Sequence, residues 1–398
     1  MNSHRRCEPS GDIVEQSVDP SRRVAGSARG AERNPRAGQS PRVPAGSLKV
    51  ERQVGEALNY MKPASLVDSL RGRVRSAVDK VGWGIRVVGW PAAMIGALRL
   101  ARLKLTRPSM AEVRLRESGA TLAFAYPSQL VPALVVFGDL IDPEYPFLAA
   151  VAQPGWTFFD VGAAIGQFTV FAAFSVGGRV HAFEPSADNL ATLRHNIERN
   201  GIGERVTIHQ LALSNHSGEA EFATAANPFM SRLDASSSGT GNCVSVDTLT
   251  NVVAALGIEH VSVLKINVAG FEPAVIEGAV PLLAQGLVDV LILLIGRQSY
   301  ASYRDLSALG YRFFFFHPGE QRLYEVASLD DHGLIRNRPW PARHVLAIRS
   351  DALSDVIGSS VTIARLHFPQ GRTAAPPPLV SKVHPRVVPC SLDSQVLD

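Results

Sequence analysis

Through the middle of the chain, short apolar runs closed by glycine, proline or an acid alternate with stretches of helical periodicity. Phe158, Phe159 and Val161 open the series as a strand. A glycine turn bracketed by Gly162 and Gly166 follows, then an apolar helix from Ile165 to Val176. Val180 to Phe183 is a second buried strand with Glu184 at its carboxyl end. The pattern then predicts a helix from Asp188 to Asn200, ended by Gly201, and a third strand from Val206 to Ala212. Val263 to Val268 is a fourth strand, Glu272 to Leu283 a helix and Val288 to Ile295 a fifth strand. Leu306 to Leu309 belongs to another helix, and Tyr311 to Phe316 with His344 to Arg349 reads as an antiparallel pair closing the sheet. Strands alternating with helices predict an α/β fold, a doubly wound and mostly parallel sheet.

The flanks read differently. Met110 to Tyr126 is a β-hairpin turning at Glu117-Ser118-Gly119. Before it, Leu66, Leu70, Val74, Val78 and Val81 recur at helical spacing among arginines, and Pro91 is expected to break that helix before a second one, Ala92 to Lys104. Two readings of this basic region stay open: a helical lid packed on the main domain, or a helix resting on an anionic membrane surface with Trp83 and Trp90 at the interface. Ala220 to Thr248 reads as irregular, with a Ser/Gly stretch at 236–241. The expected organisation is a disordered basic arm (1–57), a basic helical region (58–108), the α/β domain (109–350) and a Pro-rich disordered tail (351–398).

Charge sharpens that division. Residues 1–106 hold 19 Lys+Arg against 9 Asp+Glu, whereas residues 107–398 hold 21 against 27. The basic character belongs to the N-terminal part, and an acidic body argues against a nucleic-acid substrate. Cys7, Cys243 and Cys390 make no C-x-x-C pair, so neither a zinc site nor a disulfide framework is expected. The first residues lack the apolar core of a secretory signal, and no apolar run reaches the roughly eighteen residues of a membrane span. The expectation is a soluble cytoplasmic protein with no metal site, of unknown oligomeric state.

The glycine turn carries the chemistry. A dinucleotide fold wants G-x-G-x-x-G, but here the run is Asp160-x-Gly162-x-x-x-Gly166, with Ala164 at the middle glycine's place. An acid, Glu184, follows at the end of the next strand. The combination resembles the S-adenosylmethionine (SAM) site of class I methyltransferases, a Rossmann-like fold, in which Glu184 would accept hydrogen bonds from the ribose hydroxyls. An ordinary glycine turn and a nicotinamide enzyme are the competing readings.

Four stretches in order, DVGAAIGQFTVFAA, VHAFEPSADNLATLRHNIERNG, LALSNHSGEAEF and LKINVAGFEPAVIEGA, resemble FkbM-type SAM-dependent methyltransferases over about residues 112–349. That resemblance implies O-methylation of a sugar, glycan or secondary-metabolite hydroxyl. It implies that Asp160, Gly162, Ala163 and Gly166 hold the methionine end of SAM and that Glu184 and Pro185 hold its ribose. Leu211 and Ala212, within 210–213, would lie beside the adenine. The chain also departs from the family pattern K-I-D-V-E-G-F-E: Asn267 and Ala269 replace two acids, Thr250 a third, and the fifth strand ends without its glutamate. Asn267 can hydrogen-bond a hydroxyl but takes no proton from it, and Ala269 does neither. Glu272, Asn267 and Lys265 remain the candidate catalytic residues, with a helix-start charge and a structural strand-end lysine as the plainer readings of Glu272 and Lys265. A catalytically impaired SAM-binding paralogue is the alternative function, and a binding module tethered by the basic arm a third. His181, His209 and His317 are expected to be core or sheet-face histidines, and Asn196 and Asn200 to lie at a helix surface and terminus.

Overall fold

The computed structural model of this chain describes residues 78, 81–115, 118–127, 131–138, 142–223, 232–233, 242–296, 299–326 and 342–365. The expected disordered arm 1–57, the helical positions 58–77 and the tail beyond 365 lie outside the described residues, as do 236–241.

Four elements precede the hairpin-to-sheet transition: α1 (Trp90–Thr106), the hairpin β1 (Met110–Arg114) and β2 (Thr121–Ala125), and α2 (Val131–Phe137). Next come α3 (Glu144–Val151), β3 (Thr157–Val161), α4 (Gln167–Val170, continued as a π turn Phe171–Ser175), β4 (Arg179–Phe183), α5 (Ala187–Arg199) and β5 (Val206–His209). A side sheet holds β6 (Ala212–Ser214), β7 (Gly218–Ala223), β8 (Arg232–Leu233) and β9 (Asn242–Thr248). The chain then runs through α6 (Leu249–Leu256), β10 (Val261–Ile266), α7 (Glu272–Ala284), β11 (Val288–Leu294), α8 (Tyr300–Ala308), β12 (Tyr311–His317) and β13 (Arg322–Val326). It closes on β14 (His344–Arg349), α9 (Leu353–Ile357) and β15 (Thr362–Arg365).

The main sheet has nine strands in the order β15-β13-β12-β14-β11-β10-β3-β4-β5. Strands β11, β10, β3, β4 and β5 are parallel neighbours, and β14 enters antiparallel between β11 and β12. Every residue of β10 is buried, as expected of a strand covered on both faces. Successive residues serve opposite cores. Phe158, Val263 and Phe314 pack with α3, α5 and the hairpin, while Phe159, Leu264 and Phe315 pack with α6, α7 and α8. The fold is the expected doubly wound α/β sheet.

Several expectations are corrected. The stretch 220–248 is not irregular throughout, because β7 and β9 pair antiparallel from Gly218↔Val246 to Phe222↔Asn242. The third strand stops at His209, and Ala212 belongs to the side sheet, paired to Val246. The domain does not end at 350: α9 and β15 follow, and β15 lies parallel to β13. The expected break before the second helix is present but falls at Gly89 (φ +79°), after helical residues 81–88; Pro91 itself sits in the first turn of α1, where its missing N–H costs no hydrogen bond.

The hairpin is joined to the domain by two asparagines rather than by a sheet. Asn196 is fully buried: Oδ1 accepts from the Ala123 N–H at 2.7 Å, and Nδ2 donates to the carbonyls of Ala123 (3.0 Å) and Ile165 (2.8 Å). One turn later Asn200 repeats the grip on both backbone groups of Thr121. The side-chain amides stand in for a neighbouring strand. Asn196→Ala leaves buried backbone groups of β2 and the Ile165 carbonyl unpaired, at about 1–3 kcal/mol per group. The expected outcome is a fall in denaturation midpoint several times larger than that of Asn200→Ala, whose site is only half-buried; equal and small losses in urea melts would refute the clamp.

Candidate active site

The parallel strands end on one edge, and the site is built where β3, β4 and β10 finish. The turn after β3 docks on β4, since the N–H groups of Gly162 and Ala163 both donate to the Phe183 carbonyl at 3.0 Å. Gly162 has φ +80°, and a Cβ there would stand 2.1 Å from the Asn267 carbonyl oxygen. Only glycine fits between the two loops. Ala164 also takes a positive φ, +49°, and donates its N–H to Glu184 Oε2 at 2.8 Å.

Glu184 is buried and fixed from three sides. Besides Ala164, Oε1 accepts from the Ser186 N–H (3.0 Å) and from Asn189 Nδ2 (3.2 Å). Burial raises its pKa above the usual carboxylate value, with the hydrogen bonds from Ser186, Asn189 and Ala164 opposing that rise. Ser186 caps α5, which holds the residue after Pro185 in place. Pro185 and Leu211 are half-buried, while Ala212 is buried in the small core of the side sheet with Val246.

Asp160 is paired inside the sheet. Its carboxylate is fully buried, with Lys265 Nζ 2.6 Å from Oδ1 and the Thr169 hydroxyl donating to Oδ2 at 2.7 Å. Lys265 also lies 3.4 Å from the Gly162 carbonyl. The structure thus brings Asp160, Lys265, Gly162, Ala163, Gly166 and Glu184 together, with the first two supporting the turn from below.

On the other side stands the loop after β10. The Asn267 N–H donates to the Val161 carbonyl at 3.0 Å, and Ala269 is left-handed at φ +53°. Glu272 opens α7 and folds back, its Oε1 accepting from the Val268 N–H at 3.0 Å. Its other oxygen is buried and makes no hydrogen bond. Ala164 and Ala269 are two of only four non-glycine residues with positive φ among the described residues, and both sit in these facing loops.

Thr250 is not part of the acceptor loop. It lies on α6 and donates its hydroxyl to the Gly278 carbonyl of α7 at 2.7 Å, so its departure from the family pattern removes no acid from the site. An acid does stand at that turn, three residues earlier. Asp247 Oδ1 accepts from Ser217, Thr248 and Asn251.

The sequence reading also missed a buried polar group at the same edge of the sheet. Asp142, Glu144 and His344 place their ligating atoms within 4.8 Å of one another. His344 Nδ1 contacts Glu144 Oε1 at 2.6 Å without hydrogen-bond alignment, and Arg343 holds both oxygens of Asp142. With its carboxylate already matched by a guanidinium, Asp142 is a poor cation ligand. The lead-in to α3 showed no apolar period, so nothing pointed to this cluster.

Five parallel strands, an antiparallel insertion and a D-x-G-x-x-x-G turn facing an acid on the next strand define a class I methyltransferase fold, with SAM as the cofactor of its class. Residues 160–313 match the family model of the methyltransferase FkbM domain. Over 67 residues it is 45% identical to the 31-O-demethyl-FK506 methyltransferase FkbM of Streptomyces tacrolimicus, a stretch covering 17% of this chain and 25% of that relative. Among solved structures it is similar to a methyltransferase FkbM from Methylobacillus flagellatus (15% identity, TM-score 0.33, covering 55% of this chain and 52% of that one). A putative methyltransferase from Streptococcus mutans in complex with SAH is also similar (12% identity, TM-score 0.31, covering 52% and 95%). The chain therefore spans about a quarter of that curated relative and about half of the first of these structures.

His181 and His209 lie side by side on β4 and β5, Nδ1 to Nε2 at 3.0 Å, so one of these two nitrogens donates and the other must be unprotonated; both rings cannot carry charge in this contact. Burial, and then the neighbouring His209, push His181 from 6.5 down to about 4. The unfolded chain therefore takes up a proton that folded His181 refuses, and stability falls as pH is lowered from about 6.5 towards about 4. Thermal melts between pH 7 and 5 should show a smaller loss for His181→Phe than for the wild type; parallel losses would refute the assignment.

Proposed function

We propose that the chain transfers a methyl group from SAM to a hydroxyl of a small molecule or glycan. The observation that carries this reading is Glu184, fixed at the end of β4 against a positive-φ turn in which Gly162 has no room for a side chain. Bound SAM supplies an already activated methyl carbon, so the protein's work is alignment and removal of the acceptor's proton. Glu184 is placed for the ribose hydroxyls, and the bare backbone of 162–164 for the methionine end. The Asp160–Lys265 pair keeps that turn at its height.

We assign the proton to Glu272. Its Oε1 is committed to the Val268 N–H, while Oε2 is buried with no partner, an arrangement that an acceptor hydroxyl would complete. Asn267 and Ala269 lie in the same loop, and Asn267 would orient the hydroxyl without taking its proton. O-methylation is supported by the printed name of the curated relative, and the acidic body of the chain favours a neutral or cationic acceptor over nucleic acid. The second reading, a SAM-binding paralogue without turnover, rests on Asn267 and Ala269.

Two measurements separate these readings. In isothermal titration calorimetry, Glu184→Ala should weaken SAM binding by roughly tenfold or more, the value of a charge-assisted hydrogen bond; unchanged affinity would sink the cofactor site. With an acceptor in hand, Glu272→Gln should lower kcat by about a hundredfold at unchanged SAM affinity. If instead Asn267→Asp with Ala269→Glu creates turnover that the wild type lacks, the paralogue reading holds.

A further inference from the structure

Helix α1 is apolar on two opposite sides, and only one of them is covered. Ala92, Ala93 and Gly96 form the inner face. A Cβ on Gly96 would stand 2.3 Å from the Val136 carbonyl oxygen, so this face is pressed against the backbone of α2. The outer face carries the large side chains: Trp90 (65% exposed), Met94 (54%), Leu98 (67%) and Leu105 (86%). At 100° per residue these four fall within one quadrant, directly opposite the small residues. A surface helix of a soluble domain keeps its large apolar residues inward; α1 packs Leu100 and Leu103 against the core but also turns a second stripe of large apolar residues outward.

The charges around the stripe indicate what covers it. Residues 81–111 hold Arg86, Arg99, Arg102, Lys104 and Arg107 and not one acid, although the remainder of the body is acidic. Arg99 and Arg102 lie on one flank of the stripe and Lys104 on the other, all exposed. A Trp at the start, leucines along the middle and cations at both edges suit a helix lying in the plane of an anionic bilayer, its apolar side chains among the acyl chains and its arginines at the phosphates. No helix among the described residues is long and apolar enough to cross a membrane. We infer that α1 is a monotopic anchor, and that this chain docks through Trp90, Met94, Leu98 and Leu105 on a membrane surface rich in anionic lipid.

The test is flotation of the full chain with vesicles of phosphatidylcholine, with and without phosphatidylglycerol. Binding should appear with the anionic vesicles and weaken in high salt. Leu98→Glu with Leu105→Glu should reduce it by roughly tenfold or more, and Arg99→Gln with Arg102→Gln by roughly fivefold per residue. Because all four positions are exposed, thermal melts of the variants should match the wild type. Trp90 emission should shift to the blue on binding, and Trp90→Phe should remove that shift. Equal binding by the Leu→Glu variant would assign the vesicle contact to the basic arm and overturn the proposal. A wild type that ignores vesicles but dissociates from dimer to monomer on Leu98→Glu would overturn it in favour of a second copy.

Discussion

A buried ion pair sits beneath everything the site does. Asp160 is next to last in β3, Lys265 next to last in β10, and the two are direct partners in the parallel ladder, so their charges meet across one strand spacing. Each would be ruinous alone in a sheet covered on both faces, and losing one partner of such a pair costs about 3–5 kcal/mol. The same chemistry fixes register, because a one-residue slip would turn a charge into the opposite core. Thr169 adds its hydroxyl and Phe168 its ring face, 5.5 Å from the lysine. The first helix and the two central strands are therefore held by one contact, and the glycine turn starts from a floor that cannot shift.

Above that floor, the glycine turn and the loop after β10 behave as one packed unit. The Asn267 N–H bonds to the Val161 carbonyl, and the Asn267 carbonyl occupies the space a side chain on Gly162 would need. Strained alanines stand on both sides, at 164 and 269. Glu272 braces the far end of the second loop by holding the Val268 N–H. Geometry imposed on one loop is thus passed to the other through backbone, where no side-chain rearrangement can absorb it.

Much of this was legible in the chain because its physics is local. Strands buried on both faces read as apolar runs, as in Phe313 to Phe316, and helices kept their period and caps. Lys265 read as a structural strand-end lysine and is paired with Asp160, and Glu184 after a buried strand stood out as an acid that needed fixing. Polar pairing was not legible. Gly218 to Ala223 and Asn242 to Thr248 alternate weakly and find each other only across a Ser/Gly stretch. Thr250 resembled a lost acid because a pattern counts positions, whereas the structure shows a hydroxyl tying α6 to α7. Asn196 and Asn200 resembled surface residues because what they bind is backbone about seventy-five positions away, which no periodicity reports.

That last feature has a consequence for how the surface beside the site can vary. The two amides read only the main chain of β2 and are indifferent to which side chains it carries. With Ala111, Val113, Leu122 and Phe124 committed to the core, the hairpin is fixed in position and free in composition on its outward face alone, like a cartridge whose socket ignores its label. Through the bond from Asn196 to the Ile165 carbonyl, the socket is also a wall of the glycine turn. Residues on the outward face of β1 and β2 can be exchanged without disturbing that turn, which makes the hairpin the part of the domain best suited to diversify.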